Sequence, residues 1–184
     1  AREAVTRKEQ IVIADLRCSW SVREEVRRLE CEYVPSKGGH TNIHHLMKQL
    51  RAQVGGELSG HYYFKKNEGA DNADIALLMI LNQLSKSDYT MSELIRPLNR
   101  YAHSGEINFD VTNKQQVITR IYNLAQDKFR DGKINFLDGL TVNFKEWWFN
   151  IRPSNTQDKI RLTVEARNEK LLDKKVRMLK KHIE

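Results

Sequence analysis

The first half of the chain alternates short β-branched runs with helical stretches, and this alternation limits the fold more than any other feature. The run Ile11-Val12-Ile13-Ala14 predicts a strand, and residues 21–29 predict a helix after it. Residues 31–34 predict a second strand, and residues 41–53 predict a second helix after the break at 35–39. This β-α-β-α order predicts an α/β domain with a mixed, largely parallel sheet.

The rest of the first half predicts a loop, a strand and two helices. The glycine-containing run 55–60 is expected to be a loop, and residues 61–64 a strand. The apolar run 75–84 predicts a helix with so little polar surface that we expect it to be buried on most sides. Residues 90–100 predict a further helix, which Pro97 interrupts.

The second half has a different rhythm, in which several strands follow one another between two helices. Its predicted elements are strand 106–111, helix 114–129, strands 134–137, 140–144, 147–152 and 161–165, and helix 168–182. Asp138-Gly139 predicts a tight hairpin turn. These elements predict a two-layer α+β domain with a four- to five-stranded, mainly antiparallel sheet and two helices. We therefore expect two domains, residues 1–101 and 102–184.

Composition excludes several classes of protein. The 184 residues carry a formal net charge of +7, and 40% of them are hydrophobic, which suffices for a core. Basic residues alternate with acidic ones on the predicted helices and match no nucleic-acid motif, so we expect no nucleic-acid binding. The chain contains no apolar run of about 18 residues and no apolar signal segment at its start, so we expect a cytoplasmic protein that binds no membrane.

Two polar loops carry the functional prediction. In Gly55-Gly56-Glu57-Leu58-Ser59-Gly60-His61, a carboxylate, a hydroxyl and an imidazole lie among glycines and offer the polar groups that a polyol needs. In Arg152-Pro153-Ser154-Asn155-Thr156, a guanidinium, two hydroxyls and an amide offer phosphate ligands. Together the loops predict a phosphosugar site in which both contact one ligand. The alternative for Arg152 is an ordinary salt bridge with Glu165 or Asp158.

Two clusters raise the question of a metal site. His40, His44 and His45 have helical spacing, but no further ligand of the right type is evident, so surface histidines or an active-site role for His40 fit better. The acidic run Asp71-Asn72-Ala73-Asp74 begins a predicted helix, with Asp74 expected as its cap, where carboxylates bind free amides. We therefore expect this chain to bind no metal.

Further short motifs stand in a fixed order with these loops: Asp15-Leu16-Arg17-Cys18, Gly39-His40-Thr41, Asp138-Gly139 and Arg161-Leu162-Thr163-Val164-Glu165-Ala166. In that order they resemble the bacterial phosphomannomutase/phosphoglucomutase family, the α-D-phosphohexomutases. Enzymes of that family have four domains, and nearly the whole chain resembles the third and fourth. The resemblance implies an intramolecular phosphotransferase that interconverts hexose 1-phosphate and hexose 6-phosphate through a bisphosphate intermediate.

The resemblance also implies roles for individual residues. His61 and His40 would serve as acid or base near the reacting hydroxyl, and Arg17 would lie near the transferring phosphoryl group. Glu57 and Ser59 would bind sugar hydroxyls. The residues that would bind the non-transferring phosphate are Arg152, Ser154, Asn155, Thr156 and Arg161.

The chain departs from the family pattern in two motifs. Family members often have a lysine where this chain has His44, which makes a phosphate role there doubtful. They usually have Thr-Glu-Pro where this chain has Thr156-Gln157-Asp158. That change removes a rigid proline and adds a carboxylate near an anion site, so we expect weaker phosphate affinity.

The family's phosphoserine and magnesium loops, which belong to its first two domains, have no counterpart in this sequence. The resemblance therefore implies that magnesium binds outside this chain, and that its partners are a hexose phosphate and the missing N-terminal domains. As a cloned fragment or a natural truncation, the isolated chain is expected to be inactive. The alternative is a stand-alone phosphosugar-binding or regulatory module.

Overall fold

The computed structural model describes residues 4–5, 7–128, 131–154 and 156–184. The chain forms two compact units, Ala1–Arg100 and Tyr101–Glu184. The strands of the first unit are β1 (Ile11–Asp15), β2 (Glu32–Ser36), β3 (Val54–Gly56) and β4 (Tyr62–Phe64). Its α-helices are α1 (Trp20–Arg28), α2 (His40–Gln49), α3 (Ala73–Ser85) and α4 (Met91–Ile95). The sheet has the order β2-β1-β3-β4, with β1 parallel to both neighbours and β4 antiparallel, which confirms the predicted α/β class.

The expectation of a loop over residues 55–60 is wrong at its start, because Val54–Gly56 forms β3 in the interior of the sheet. Glycines are poor strand formers, so the sequence pattern does not reveal this strand. Packing explains why β3 contains glycine. A Cβ on Gly55 would lie 2.8 Å from Cγ2 of Ile43 and 3.3 Å from Sδ of Met47, both on α2. The absence of side chains lets the helix approach the strand, and the polar loop begins only at Glu57.

The expectation that the apolar helix over 75–84 is buried on most sides is also wrong. Helix α3 contains no fully buried residue. Ile75, Ala76 and Met79 pack against the core of the first unit, but Leu77 and Leu78 on the other side are 54% and 64% exposed. The hydrophobicity of a helix predicts that its apolar surface is buried against other residues. It does not show whether those residues belong to the same chain.

The second unit is a five-stranded antiparallel sheet with two helices, which confirms the predicted α+β class. Its strands are β5 (Ala102–Asp110), β6 (Lys133–Asn135), β7 (Leu140–Asn143), β8 (Trp147–Pro153) and β9 (Lys159–Ala166), in the sheet order β5-β9-β8-β7-β6. Its helices are α5 (Lys114–Lys128) and α6 (Glu169–Ile183). The predicted end of α5 at Phe129 lies outside the described residues. The hairpin between β6 and β7 is present as predicted, but its connection is residues 136–139 rather than Asp138-Gly139 alone, because β6 ends at Asn135.

Alternation along β8 and β9 gives the sheet two different faces. Phe149, Ile151, Leu162 and Val164 are completely buried in a core that includes side chains of both helices. Helix α6 contributes Leu172, Leu179 and Ile183 to that core, and Asn168 caps its start by accepting a hydrogen bond from the backbone of Leu171. The other face of the sheet is free to carry polar side chains.

Candidate functional site

Glu57 holds the loop that follows β3. Its Oε1 accepts a hydrogen bond of 2.6 Å from the backbone N–H of Gly39, and its Oε2 accepts one of 2.8 Å from Oγ of Ser59. The backbone N–H of Glu57 donates to the carbonyl of His61 at 2.9 Å, and that of Gly60 donates to the carbonyl of Glu57 at 3.1 Å. A nearly buried carboxylate therefore joins this loop to the start of α2, which begins at His40.

His40 and His61 both face the carboxylate of Asp71. Nδ1 of His61 lies 3.0 Å from Oδ2 of Asp71, and Nδ1 of His40 lies 3.2 Å from Oδ1. An ionised carboxylate only accepts hydrogen bonds, so Nδ1 of His61 carries the proton that it donates to Asp71, and the same carboxylate favours a proton on Nδ1 of His40 in their ion-pair contact. Nε2 is then the nitrogen of each ring that faces away from Asp71 and can exchange a proton with a ligand.

The cap of α3 differs from the expected one. Helix α3 is capped by Asn72, whose side chain accepts a hydrogen bond of 2.9 Å from the backbone of Ile75, and not by Asp74. Asp71 faces the histidines instead. Its hydrogen bond with His61, together with the positive charge available on His40, lowers the pKa of the Asp71 carboxyl. The stabilisation from this pairing is present above the ordinary carboxyl pKa and is lost as the pH falls through the lowered value.

Replacing Asp71 by asparagine is expected to change the tautomers of His40 and His61. An amide offers both a donor and an acceptor, so the Nδ1–H form loses its preference and the Nε2–H form gains population. Two-bond ¹H–¹⁵N spectra of the imidazoles, recorded about two pH units above the ordinary histidine pKa, measure this directly. The control is Asp74→Asn, in the first turn of α3. Unchanged tautomers in Asp71→Asn would contradict the assigned hydrogen bonds.

Tyr63 lies beneath this cluster. Its side chain is completely buried, and its ring lies 5.5 Å from the ring of His40. Burial raises the pKa of Tyr63, and the nearby carboxylates of Glu57 and Asp71 raise that pKa further, so the phenol stays neutral. Tyr63 also forms an isolated bridge with Asp71, which brings Asp71 back to the sheet. The neutral ring of Tyr63 therefore packs against the His40–Asp71–His61 group.

Arg17 follows β1 and is almost fully buried. Its Nε donates to Oδ1 of Asp15 at 2.9 Å, and its Nη2 pairs with Oδ2 of the same carboxylate. Asp15 ends β1, and Gly38 lies against the guanidinium, so Arg17 is held beside the Gly38-Gly39 turn. The structure therefore brings Arg17, Glu57, Ser59, His40 and His61 to the same region of the first unit.

In the second unit, Arg152 and Arg161 converge on one carboxylate. They lie directly opposite each other on β8 and β9. Nη2 of Arg152 lies 3.0 Å from Oε2 of Glu106 on β5, and Nη1 of Arg161 lies 3.4 Å from Oε1. Arg152 therefore pairs with Glu106 rather than with Glu165 or Asp158. Two guanidiniums and one carboxylate leave a local excess of one positive charge, which suits an anion.

Ser154 and Lys114 complete this cluster. Oγ of the buried Ser154 accepts bonds of 3.4 Å from Nη2 of Arg161 and from the backbone of Thr156. Nζ of Lys114, at the start of α5, donates to the carbonyls of Ser154 and Gln157 at 3.3 and 3.1 Å. The loop after β8 is thus held at both ends. Asn155, predicted to bind phosphate, lies outside the described residues.

Three contacts of this geometry escape sequence reasoning: Asp71, Glu106 and Lys114. No motif identifies them, because each is distant in sequence from the residues that it contacts. Of the three, only Asp71 belongs to a sequence cluster, the acidic run 71–74 at the start of α3. No group of three His, Cys, Asp or Glu side chains in the described ranges could hold a metal ion. No helix of these ranges is long and apolar enough to cross a membrane.

Two family models match the chain. The model for "Phosphoglucomutase/phosphomannomutase, alpha/beta/alpha domain III" matches residues 1–101, and the model for the "Phosphoglucomutase/phosphomannomutase, C-terminal domain" matches residues 106–181. The chain belongs to the phosphoglucomutase/phosphomannomutase family. It is 36% identical over 181 residues to a phosphomannomutase of Methanocaldococcus jannaschii, covering 98% of this chain and 39% of that protein.

A phosphomannomutase of Vibrio cholerae gives a similar result, with 36% identity over 188 residues, 98% of this chain and 40% of that protein. The chain thus spans about two-fifths of the length of these curated relatives. Among solved structures, a phosphoglucomutase/phosphomannomutase family protein from Burkholderia thailandensis matches with a TM-score of 0.80 at 23% identity. That match covers 96% of this chain and 37% of the solved chain, and it supports the fold.

Proposed function

We propose that this chain is the substrate-recognition part of a phosphohexomutase that interconverts hexose 1-phosphate and hexose 6-phosphate through a bisphosphate intermediate. The observation that carries the proposal is the pair of built clusters, His40–Asp71–His61 beside Glu57 and Arg152–Arg161 around Ser154. One cluster offers acceptors and imidazoles for hydroxyl groups, and the other offers paired guanidiniums for a phosphate. Mannose and glucose phosphates are the proposed ligands.

On the hydroxyl side, Glu57 and Ser59 bind and orient the sugar. A hexose hydroxyl that attacks a phosphoryl group must lose its proton, and Nε2 of His61 or His40 accepts it, because Nδ1 of each ring is directed at Asp71. When the reaction runs the other way, the same nitrogen returns the proton to the departing oxygen. Arg17, held by Asp15, is the proposed hydrogen-bond donor to the oxygen atoms that become negative.

On the phosphate side, Arg152 and Arg161 bind the non-transferring phosphate in a charge-assisted way, with Ser154, Asn155 and Thr156 adding neutral donors. Phosphoryl transfer depends mostly on positioning and on charge neutralisation, so a firm hold on this phosphate contributes to positioning the substrate. The phosphoserine and the magnesium of such a mutase belong to the protein outside this chain. A neighbouring structure, N-acetylphosphoglucosamine mutase of Aspergillus fumigatus, is a complex with GlcNAc-6P and magnesium.

A calorimetric titration of the isolated chain tests the proposal. Mannose 6-phosphate is expected to bind at least about tenfold more tightly than either mannose or inorganic phosphate, since it carries both hydroxyl groups and a phosphate. Glu57→Gln is expected to lower the affinity for mannose 6-phosphate by about tenfold or more, which is the contribution of one hydrogen bond to a charged group. The affinity for inorganic phosphate is expected to stay the same. Equal affinities for inorganic phosphate and mannose 6-phosphate would contradict recognition of the sugar.

Turnover gives a separate test. The isolated chain is expected to show no mutase activity in a coupled assay with magnesium and a hexose bisphosphate activator, because the proposed nucleophile lies outside it. The assay is run beside an intact phosphomannomutase as the positive control. Measurable turnover by the chain alone would contradict its role as the recognition part of a larger enzyme.

A further inference from the structure

Helix α3 exposes a row of large aliphatic side chains. Leu77, Leu78, Ile80 and Leu81 are 54%, 64%, 43% and 50% exposed. Positions three and four apart lie next to one another on a helix, so these four side chains form one continuous surface, called here the α3 stripe. The single charged residue of the helix, Asp74, stands in its first turn, away from the centre of the stripe. Apolar residues scattered singly on a surface need no explanation, but a continuous apolar stripe marks an interaction site.

The opposite side of α3 packs against its own unit. Ile75, Ala76 and Met79 pack against the core of the first unit, so the helix is already anchored without the stripe. A helix that is apolar all round belongs between two layers of a protein. The stripe is therefore the second half of a sandwiched helix, and its composition is that of a core rather than of a ligand-binding surface.

The chemistry of the stripe limits its partner. The stripe contains no charged side chain. It therefore does not suit a charged ligand, or a transient protein partner that associates through electrostatic attraction. Permanent interfaces are more apolar and resemble a protein core cut in two. The occupant must therefore present a largely apolar face and remain in place.

The family match provides the argument for one occupant. The first unit corresponds to domain III of the family, and the curated relatives are about two and a half times as long as the matched region. We infer that the α3 stripe is the docking surface for the part of the family fold that precedes domain III. This inference rests on family membership and on the exposure of α3, and it stands whether or not the chain binds a hexose phosphate.

Hydrogen exchange of the full 184-residue chain tests this inference. The probe is the remainder of the Methanocaldococcus jannaschii phosphomannomutase, the part outside its match to this chain, added as a separate polypeptide. Amides of α3 are expected to exchange more slowly when the probe is present, and sedimentation is expected to show a one-to-one complex. Leu78→Glu with Leu81→Glu is expected to weaken that complex about thirtyfold or more, since charges then enter an apolar interface.

The matched control is Phe136→Glu, because Phe136 is an equally exposed apolar residue of the second unit, at 63%. Retained binding by Phe136→Glu and loss in the double α3 variant would support the docking surface. Equal binding by the double variant and the wild type would overturn it, as would unchanged α3 exchange. If the wild type instead pairs with itself through α3 and ignores the probe, the occupant is a second copy of this chain and the inference is wrong.

Discussion

The chain carrying both Arg152→Gln and Arg161→Gln is expected to bind mannose 6-phosphate at least about a hundredfold more weakly than the wild type. Each guanidinium supplies charge-assisted hydrogen bonds worth about 1.5–3 kcal/mol, and the two lie side by side on β8 and β9. The local charge also changes from an excess of one positive charge to the single negative charge of Glu106. Isothermal titration calorimetry measures the change in affinity.

The companion control adds Glu106→Gln to the double variant. In the double variant the carboxylate of Glu106 loses both arginine partners while it is only 27% exposed, and the sheet can distort in response, which would also lower affinity. The triple variant removes that negative charge as well. We expect it to regain most of the lost stability but not the affinity for the ligand. Recovery of binding in the triple variant, or wild-type affinity in the double variant, would exclude this cluster as the phosphate site.

The second large effect concerns the hairpin between β6 and β7. Gly139→Ala is expected to lower the free energy of unfolding of the second unit by about 2–5 kcal/mol. Gly139 has φ +65°, where an alanine costs about 1–2 kcal/mol, and a new Cβ would lie 2.6 Å from Cβ of Arg152 and would press on the carbonyl of Ile151. Because β8 is an interior strand and cannot easily retreat, this overlap adds about 1–3 kcal/mol.

Gly105→Ala is the matched comparison for Gly139→Ala. Gly105 has φ +66°, but nothing lies within 4 Å of the position that its Cβ would take. Its substitution therefore reports the backbone cost alone, about 1–2 kcal/mol. Urea unfolding, followed through the indole NMR signal of Trp148, measures both variants in the same unit. Equal losses in the two variants would show that contact with β8 has no part in the effect.

The sequence predicts both sheets because their strands follow simple patterns. Residues 11–14 of β1 are a continuous apolar run, and β9 alternates between polar and core residues along its whole length. The pattern does not predict β3, because its glycines make room for α2 and give no hydrophobic or alternating signal. Packing between distant segments, rather than local propensity, makes these residues a strand.

The candidate site is predictable only in part for a related reason. Glu57, Ser59, His40 and His61 stand in motifs that a sequence can show. Asp71 reaches the histidines because the chain returns to Tyr63 after a turn, and Glu106 reaches two arginines across neighbouring strands. Such partners depend on tertiary register. The exposure of α3 does not follow from its sequence, because the hydrophobicity of a helix indicates that it packs against something without indicating what.

The placement of Glu57 has a consequence for how this region tolerates insertion and deletion. The residue follows a three-residue strand that pairs on both sides, with Gly56 opposite Ala14 and Tyr62. Side chains in a strand alternate between faces, so removing or adding a single residue before Glu57 would send its carboxylate to the reverse side of the sheet. Length is therefore constrained here more strictly than composition.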